Sequence, residues 1–196
     1  MAINLNIESE DIDTEFRRIA TDLMNNWILC VENSFYRITE IEFYYKSESH
    51  DDKYTHGHET QKLYGRWYFH GSGIDLTFGT PNSYGGILIR AIYEIKTKKY
   101  IYGPLNTVAE LFRNLPDIYH SSFSFGLIED FDKLIAFEKP ISAPRIGLNS
   151  QVDSIMYNKF YRFLIMPKQK HADKTRIVEA MKTQNYDISE IYNVWG

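Results

Sequence analysis

The chain has 196 residues and a mass of 23.1 kDa, which is room for one well-packed domain and too little for two full ones. Its 43% hydrophobic and 24% charged content excludes disorder or a fibrous repeat, and a single cysteine, Cys30, excludes a disulfide scaffold or a thiolate zinc site. The net charge of −4 excludes a polycation, while 30 aromatic residues favour a sheet-rich core or a site that stacks flat ligands.

The first element is an amphipathic helix. Phe16, Ile19, Ala20, Leu23, Met24, Trp27 and Ile28 recur at three- and four-residue steps, one apolar stripe with Asp13 or Thr14 as its cap. From residue 35 the pattern changes to strands: Phe35–Tyr45, Gly65–Phe69, Ile74–Phe78, Ile87–Ile95 and Tyr100–Tyr102. Gly71-Ser-Gly73, Gly79-Thr-Pro81-Asn82 and Gly85-Gly86 supply the turns between them. A short helix is expected over Pro104–Asn114, opened by one proline and stopped by Pro116. Residues 117–145 read as irregular, with Pro140 and Pro144 resisting regular structure. A strand Phe160–Met166 and a helical stretch over 172–193 complete one α+β domain spanning 1–196.

No apolar run reaches the ~20 residues of a membrane helix, and the N-terminus lacks a basic-then-apolar signal layout. With the lone cysteine, these features predict a soluble protein of the cytoplasm. Charge is unevenly placed: residues 1–16 carry five acids and no base, and residues 157–182 carry seven bases against two acids. That basic stripe is either a set of phosphate contacts or an ordinary solvated face.

The strand Phe35–Tyr45 has no cleanly polar face. Strict alternation puts Tyr36, Ile38, Glu40, Glu42 and Tyr44 together. A glutamate among such neighbours lies at a sheet edge in water or in a cleft with a partner. In the strand Ile87–Ile95, Arg90 lies between Leu88 and Ile92 and needs a carboxylate. A Glu42–Arg90 pair satisfies both, as part of a site or as an ion pair that only fixes register. His56, His58, Trp67, His70 and Asp75 lie around these in sequence. The histidines show no metal-ligand spacing, no glycine-rich phosphate loop opens a helix, and Gly-x-Ser-x-Gly is absent.

Five short segments then occur in one order. Arg37-Ile-Thr-Glu-Ile-Glu42-Phe-Tyr44 resembles the R-I-V-E-x-E-A-Y segment of the alkyladenine (3-methyladenine) DNA glycosylases, and Asp52-Lys-Tyr-Thr-His56 resembles their D-x-x-S-H. Ile87-Leu-Ile-Arg90-Ala91, Ala143-Pro-Arg145-Ile-Gly147-Leu148 and Lys159-Phe-Tyr-Arg162-Phe163 are similar to three further pieces, so the likeness covers about residues 31–167. It implies a curved antiparallel sheet flanked by helices, with residues 1–30 as an N-terminal helix and 168–196 as a helical tail without counterpart.

It also implies a monofunctional enzyme of base excision repair. Such an enzyme extrudes an alkylated or deaminated purine from double-stranded DNA and hydrolyses its N-glycosidic bond with water, without cofactor or metal. By matching position, Glu42 would be the general base for that water, and Arg90 would orient Glu42 and the water, helped by a backbone carbonyl near Arg145, Ile146 and Gly147. Tyr44 and the His56 region would hold the flipped base. Ungapped counting puts Trp67 at the family's pocket-wall tyrosine, His70 at its duplex wedge and Thr77 at its purine-screening asparagine. Asp75, on the Trp67/Thr77 side of its strand, is a second cleft carboxylate or a solvated turn residue. Two other readings stand beside this one: a hydrolase of smaller nucleosides or nucleotides on the same scaffold, and a non-catalytic domain binding nucleic acid or a partner.

Overall fold

A computed structural model describes residues 2–113, 115–119 and 122–195. Its first helix, α1 (Ile12–Asn26), starts where the Asp11 side chain accepts hydrogen bonds from the Thr14 N–H and hydroxyl. The cap is therefore Asp11, ahead of the predicted Asp13 or Thr14. The helix also stops short of Trp27 and Ile28, which open β1 (Trp27–Val31). An inward-facing strand residue is as apolar as a helical stripe, so periodicity ran across the junction unbroken.

Next come β2 (Ser34–Lys46), a 3-10 turn at Glu59–Lys62, β3 (Trp67–His70), β4 (Gly73–Thr77), β5 (Tyr84–Glu94), β6 (Tyr100–Tyr102) and α2 (Pro104–Leu111). The predicted end of that helix, Asn114, lies outside the described residues, as do Met1 and Gly196 at the ends of the predicted domain. The stretch read as irregular contains two short strands, β7 (Phe125–Glu129) and β8 (Ile141–Ala143). The chain ends with α3 (Ser154–Asn158), β9 (Arg162–Leu164), α4 (Lys174–Thr183) and α5 (Ile188–Tyr192). Asn185, at φ 58°, breaks the predicted C-terminal helix in two.

These elements make one α+β domain around a curled antiparallel sheet, ordered β3-β4-β5-β2-β1-β7. The sheet branches because its central strands are long. β2 pairs β1 along Ser34–Arg37 and β9 along Glu40–Glu42, while β5 pairs β4 with one end and β6 with the other. The curl brings the edge strands β3 and β7 together, with Trp67 and Phe125 ring to ring at 4.7 Å. Inside the curl lies α1. Phe16 stacks on Phe43 at 4.3 Å and meets Tyr161 and Phe78 edge-on, and each such fully buried ring stabilises the fold by about 1.5–3 kcal/mol.

The outer face is set by a local slip. Ile38↔Ile92 and Ile41↔Ile89 are both core-facing pairs, three residues apart on either strand, with the irregular pair Glu40↔Ala91 between them. Both strands therefore change phase together. Tyr36 and Ile38 point inward, whereas Glu40, Glu42 and Tyr44 point outward. The single face predicted for these five residues does not exist, and Ile92 lies on the opposite face from Arg90.

Residues 168–195 are not an appendage. Ile177, Val178, Ala180 and Met181 of α4 form a second apolar cluster with Ile141, Ala143, Leu164 and Val194. Among the described residues no helix is long and apolar enough to cross a membrane. Ile177→Ala is expected to cost about 2–4 kcal/mol through the cavity it leaves, measured by urea unfolding. A loss below about 1 kcal/mol would mean that α4 is not integral to the domain.

Candidate functional site

Reversing phase at Glu40 places three long polar side chains in buried positions on the outer face, so each must be paired. Glu40 and Glu42 are fully buried. Arg90 lies across from them on β5 and bridges the two, its Nε 3.0 Å from Glu40 Oε1 and its Nη1 3.1 Å from Glu42 Oε2. The predicted Glu42–Arg90 pair is present, and Glu40 extends it. Arg162 Nε approaches Glu40 Oε1 at 2.9 Å and His171 Nδ1 approaches Oε2 at 2.6 Å. The other ring nitrogen of His171 faces the Met166 carbonyl at 3.1 Å. A doubly protonated ring donates to both.

Burial would raise the Glu40 carboxyl, but Arg162 above all, then His171 and Arg90, hold it down at about 2. Arg90 stays charged. Desolvation opposes this, but Glu42 and Glu40 push its pKa above the ordinary value.

Glu42 has three donors. Tyr44 Oη donates to Oε2 at 2.9 Å beside Arg90, and the Ile146 N–H donates to Oε1 at 2.8 Å. Burial and then the Glu42 charge push the Tyr44 hydroxyl well above its usual range, so it remains a neutral donor. A carboxylate accepts about four hydrogen bonds, so one acceptor position remains on Glu42. The segment 145–147 thus reaches Glu42 through the Ile146 N–H, and the Arg145 carbonyl accepts from Arg176 Nη1 at 3.4 Å. The Arg145 side chain is fully buried in a two-point pair with Asp52, at 2.6 and 3.0 Å, and lies against the rings of Tyr44, Tyr54 and Tyr161. Two of the matched segments are held together by that pair.

In front of this network is a cleft of about 330 Å³, lined by Tyr44, Tyr54, His56, His70, Ser72, Asp75, Leu88, Arg90, Pro104 and the backbone turn Ile146–Leu148. Glu42 lies one layer behind its wall, and all three of its hydrogen-bond partners are in the wall. Of the predicted site residues, Tyr44, His56, His70, Asp75, Arg90, Ile146 and Gly147 meet here. Burial, then the neighbouring His70, holds the His56 imidazole below its ordinary pKa.

Three expectations are overturned. Trp67 pairs with Leu76 and packs against the core, on the opposite face from the cleft. Ungapped counting from Arg90 could not see this, because side-chain direction in β3 is set by its pairing to β4. Asp75 is instead opposite Tyr68. Thr77 is fully buried and structural: its hydroxyl donates to the Leu63 carbonyl at 2.6 Å and accepts the Arg66 N–H at 2.9 Å, pinning the loop before β3. His70 is no wedge. Its ring turns inward, with Nε2 2.9 Å from Asp75 Oδ1, and stacks on Tyr68 at 5.0 Å.

The basic stripe of 157–182 is largely spent inside the molecule. Arg162 is buried on Glu40, Lys159 pairs with Asp13, Arg176 bonds the carbonyls of Arg145 and Tyr157, and Lys174 bonds that of Val194. Sequence reasoning missed the roles of Asp52, Tyr54, Ser72, Arg162 and His171. The sole local signal was a set of charged residues in strands, each demanding a partner. Among the described residues no group of three or more His, Cys, Asp or Glu could hold a metal ion.

Fold and site thus define an α+β protein with a polar cleft on the outer face of a curled antiparallel sheet, backed by buried ion pairs. No family model matches the chain. It is 32% identical over 203 aligned positions to Uncharacterized protein L759 of Acanthamoeba polyphaga mimivirus, an alignment covering 84% of this chain and 92% of the viral one. The chain belongs to the family of that viral protein.

Two measurements probe the network. Arg90→Ala leaves Glu40 and Glu42 each short of a buried partner and is expected to cost about 3–5 kcal/mol, whereas His56→Ala, at an exposed ring, should cost within about 0.5 kcal/mol. Equal melting temperatures for the two variants would contradict a buried charge bridge. The folded Glu40 value of about 2 lies below the free value of 4.5, so its stabilisation is complete above pH 4.5 and is lost as pH falls toward 2. The loss is on the order of 3 kcal/mol. Urea titrations from pH 6 to 2.5 should show Glu40→Gln less stable at pH 6 but flatter across that window; an unchanged slope would place the acid sensitivity elsewhere.

Proposed function

We propose that the cleft hydrolyses the N-glycosidic bond of a modified purine, with Glu42 activating the attacking water, as in a DNA glycosylase acting on an alkylated or deaminated base. The observation that carries this reading is the carboxylate fixed behind the cleft wall by Arg90, Tyr44 and the Ile146 N–H. Its remaining acceptor position would be met by a water entering between those three groups. Rigid donors on both oxygens keep it aimed. Charge developing on the sugar as the bond breaks is that of a cation, which a fixed anion favours.

The partner in this reading is double-stranded DNA carrying a damaged purine, held weakly by a chain of net charge −4. The proposed compartment is the cytoplasm, on the strength of the lone Cys30. One observation favours a second reading, a nucleoside- or nucleotide-scale hydrolase. The residue expected to enter the duplex, His70, is turned into the cleft, which leaves extrusion of a base without its expected wedge.

Single-turnover assays on duplexes carrying hypoxanthine, 1,N6-ethenoadenine or 3-methyladenine, and on the corresponding nucleosides, separate the two. Base release by the wild type and a loss of about 10²–10⁴-fold in Glu42→Gln are expected. Release from nucleosides but not duplexes selects the second reading. No release from either, by folded protein, overturns both.

A further inference from the structure

Among the described residues Asp75 is the one carboxylate that lines the cleft, and it is only 2% exposed. Several features hold it there. Cross-strand register puts Glu42, Leu88 and Asp75 in one row over β2, β5 and β4, so the two acids flank the cleft floor roughly 10 Å apart at the backbone. Gly86 leaves room for it, since a Cβ there would lie 2.5 Å from Asp75 Oδ2 and 2.9 Å from Gln61 Nε2. His70 Nε2 meets Oδ1 at 2.9 Å, and Gln61 Nε2 reaches Oδ2 at 3.4 Å.

Among the described residues no lysine or arginine pairs with Asp75, its ion-pair partner being His70. The Ser72 N–H donates to His70 Nδ1 at 3.3 Å, which turns the Nε2 edge of the ring toward Asp75. Arg90 is committed to Glu40 and Glu42. A carboxylate accepts about four hydrogen bonds, so a buried one with these two donors, facing a cavity, has acceptor capacity that a ligand can fill.

We propose that Asp75 reads the base edge in this cleft and selects purines of the guanine type, whose adjacent ring N–H and 2-amino group can both donate to one carboxylate. Charge-assisted, paired hydrogen bonds are the strong kind. A base edge offering only acceptors would instead set lone pairs against the buried charge and leave it unsatisfied, which is costly. Leu88, between the two acids, and Tyr44 supply apolar surface for the ring. This inference rests on the cleft being a purine site; it assigns Asp75 to recognition and leaves the water to Glu42.

The test uses nucleosides that differ only at that edge: guanosine, inosine (no 2-amino group) and 1,N6-ethenoadenosine (no N–H donor). Isothermal calorimetry on the full chain should give affinity in that order, with about tenfold or more between first and last. Asp75→Asn, whose amide both donates and accepts, should bring the three within about threefold. The series on wild type alone tests the idea if that variant does not fold. Ethenoadenosine bound as tightly as guanosine, an order unchanged in Asp75→Asn, or no binding of any of the three would overturn it. So would loss of hydrolysis in Asp75→Asn with the binding order intact, which would make Asp75 the base. The expected order with no base release would retain Asp75 as the reader and discard the hydrolase; Glu42-dependent release without the order would do the reverse.

Discussion

Arg90 is the residue on which the outer face depends. Two glutamates two positions apart on one strand are fully buried, and a lone buried carboxylate is among the most expensive things a fold can hold. One guanidinium reaches both, with Nε on Glu40 and Nη1 on Glu42. Lysine could not do this, because a single ammonium lacks the rigid fork that spreads donors over two acceptors. Arg162 and His171 then complete Glu40, while Tyr44 and the Ile146 N–H complete Glu42.

That division separates structure from chemistry along the strand. Glu40 is surrounded by cations and is held at about 2. It ties β9 and the segment before α4 to the central sheet, and the tail's own core packs on the same strands. Glu42 has neutral donors on either side of Arg90 and stands directly behind the cleft wall. The Asp52–Arg145 pair fixes the turn that supplies the Ile146 N–H, so a second buried ion pair positions Glu42 at one remove. Such an arrangement is rigid, as preorganised electrostatic sites are.

The cleft's other wall is built differently. Around the single acid Asp75 of β4 stand Gln61 from the 3-10 turn, His70 of β3 and the Tyr68 ring beside it. A wall of this kind suits discrimination between donors and acceptors. The wall around Glu42, by contrast, suits holding one carboxylate in a fixed position.

The sequence by itself determined the α+β class, α1 and its core stripe, the central strands and the demand that Glu42 and Arg90 meet. These follow from short-range period and from the cost of burying charge unpaired, both of which a one-dimensional pattern carries. Only the tertiary structure decided which way side chains face. The phase slip around Glu40 and Ala91 needs both strands to be seen together, and Trp67 faces the core because β3 pairs β4 in a register that no residue of β3 encodes alone. Cross-strand pairing likewise turned His70 toward Asp75, and a contact 131 residues apart in sequence joined His171 to Glu40. Strand period tells which residues alternate; the neighbouring strand decides which alternate is inside.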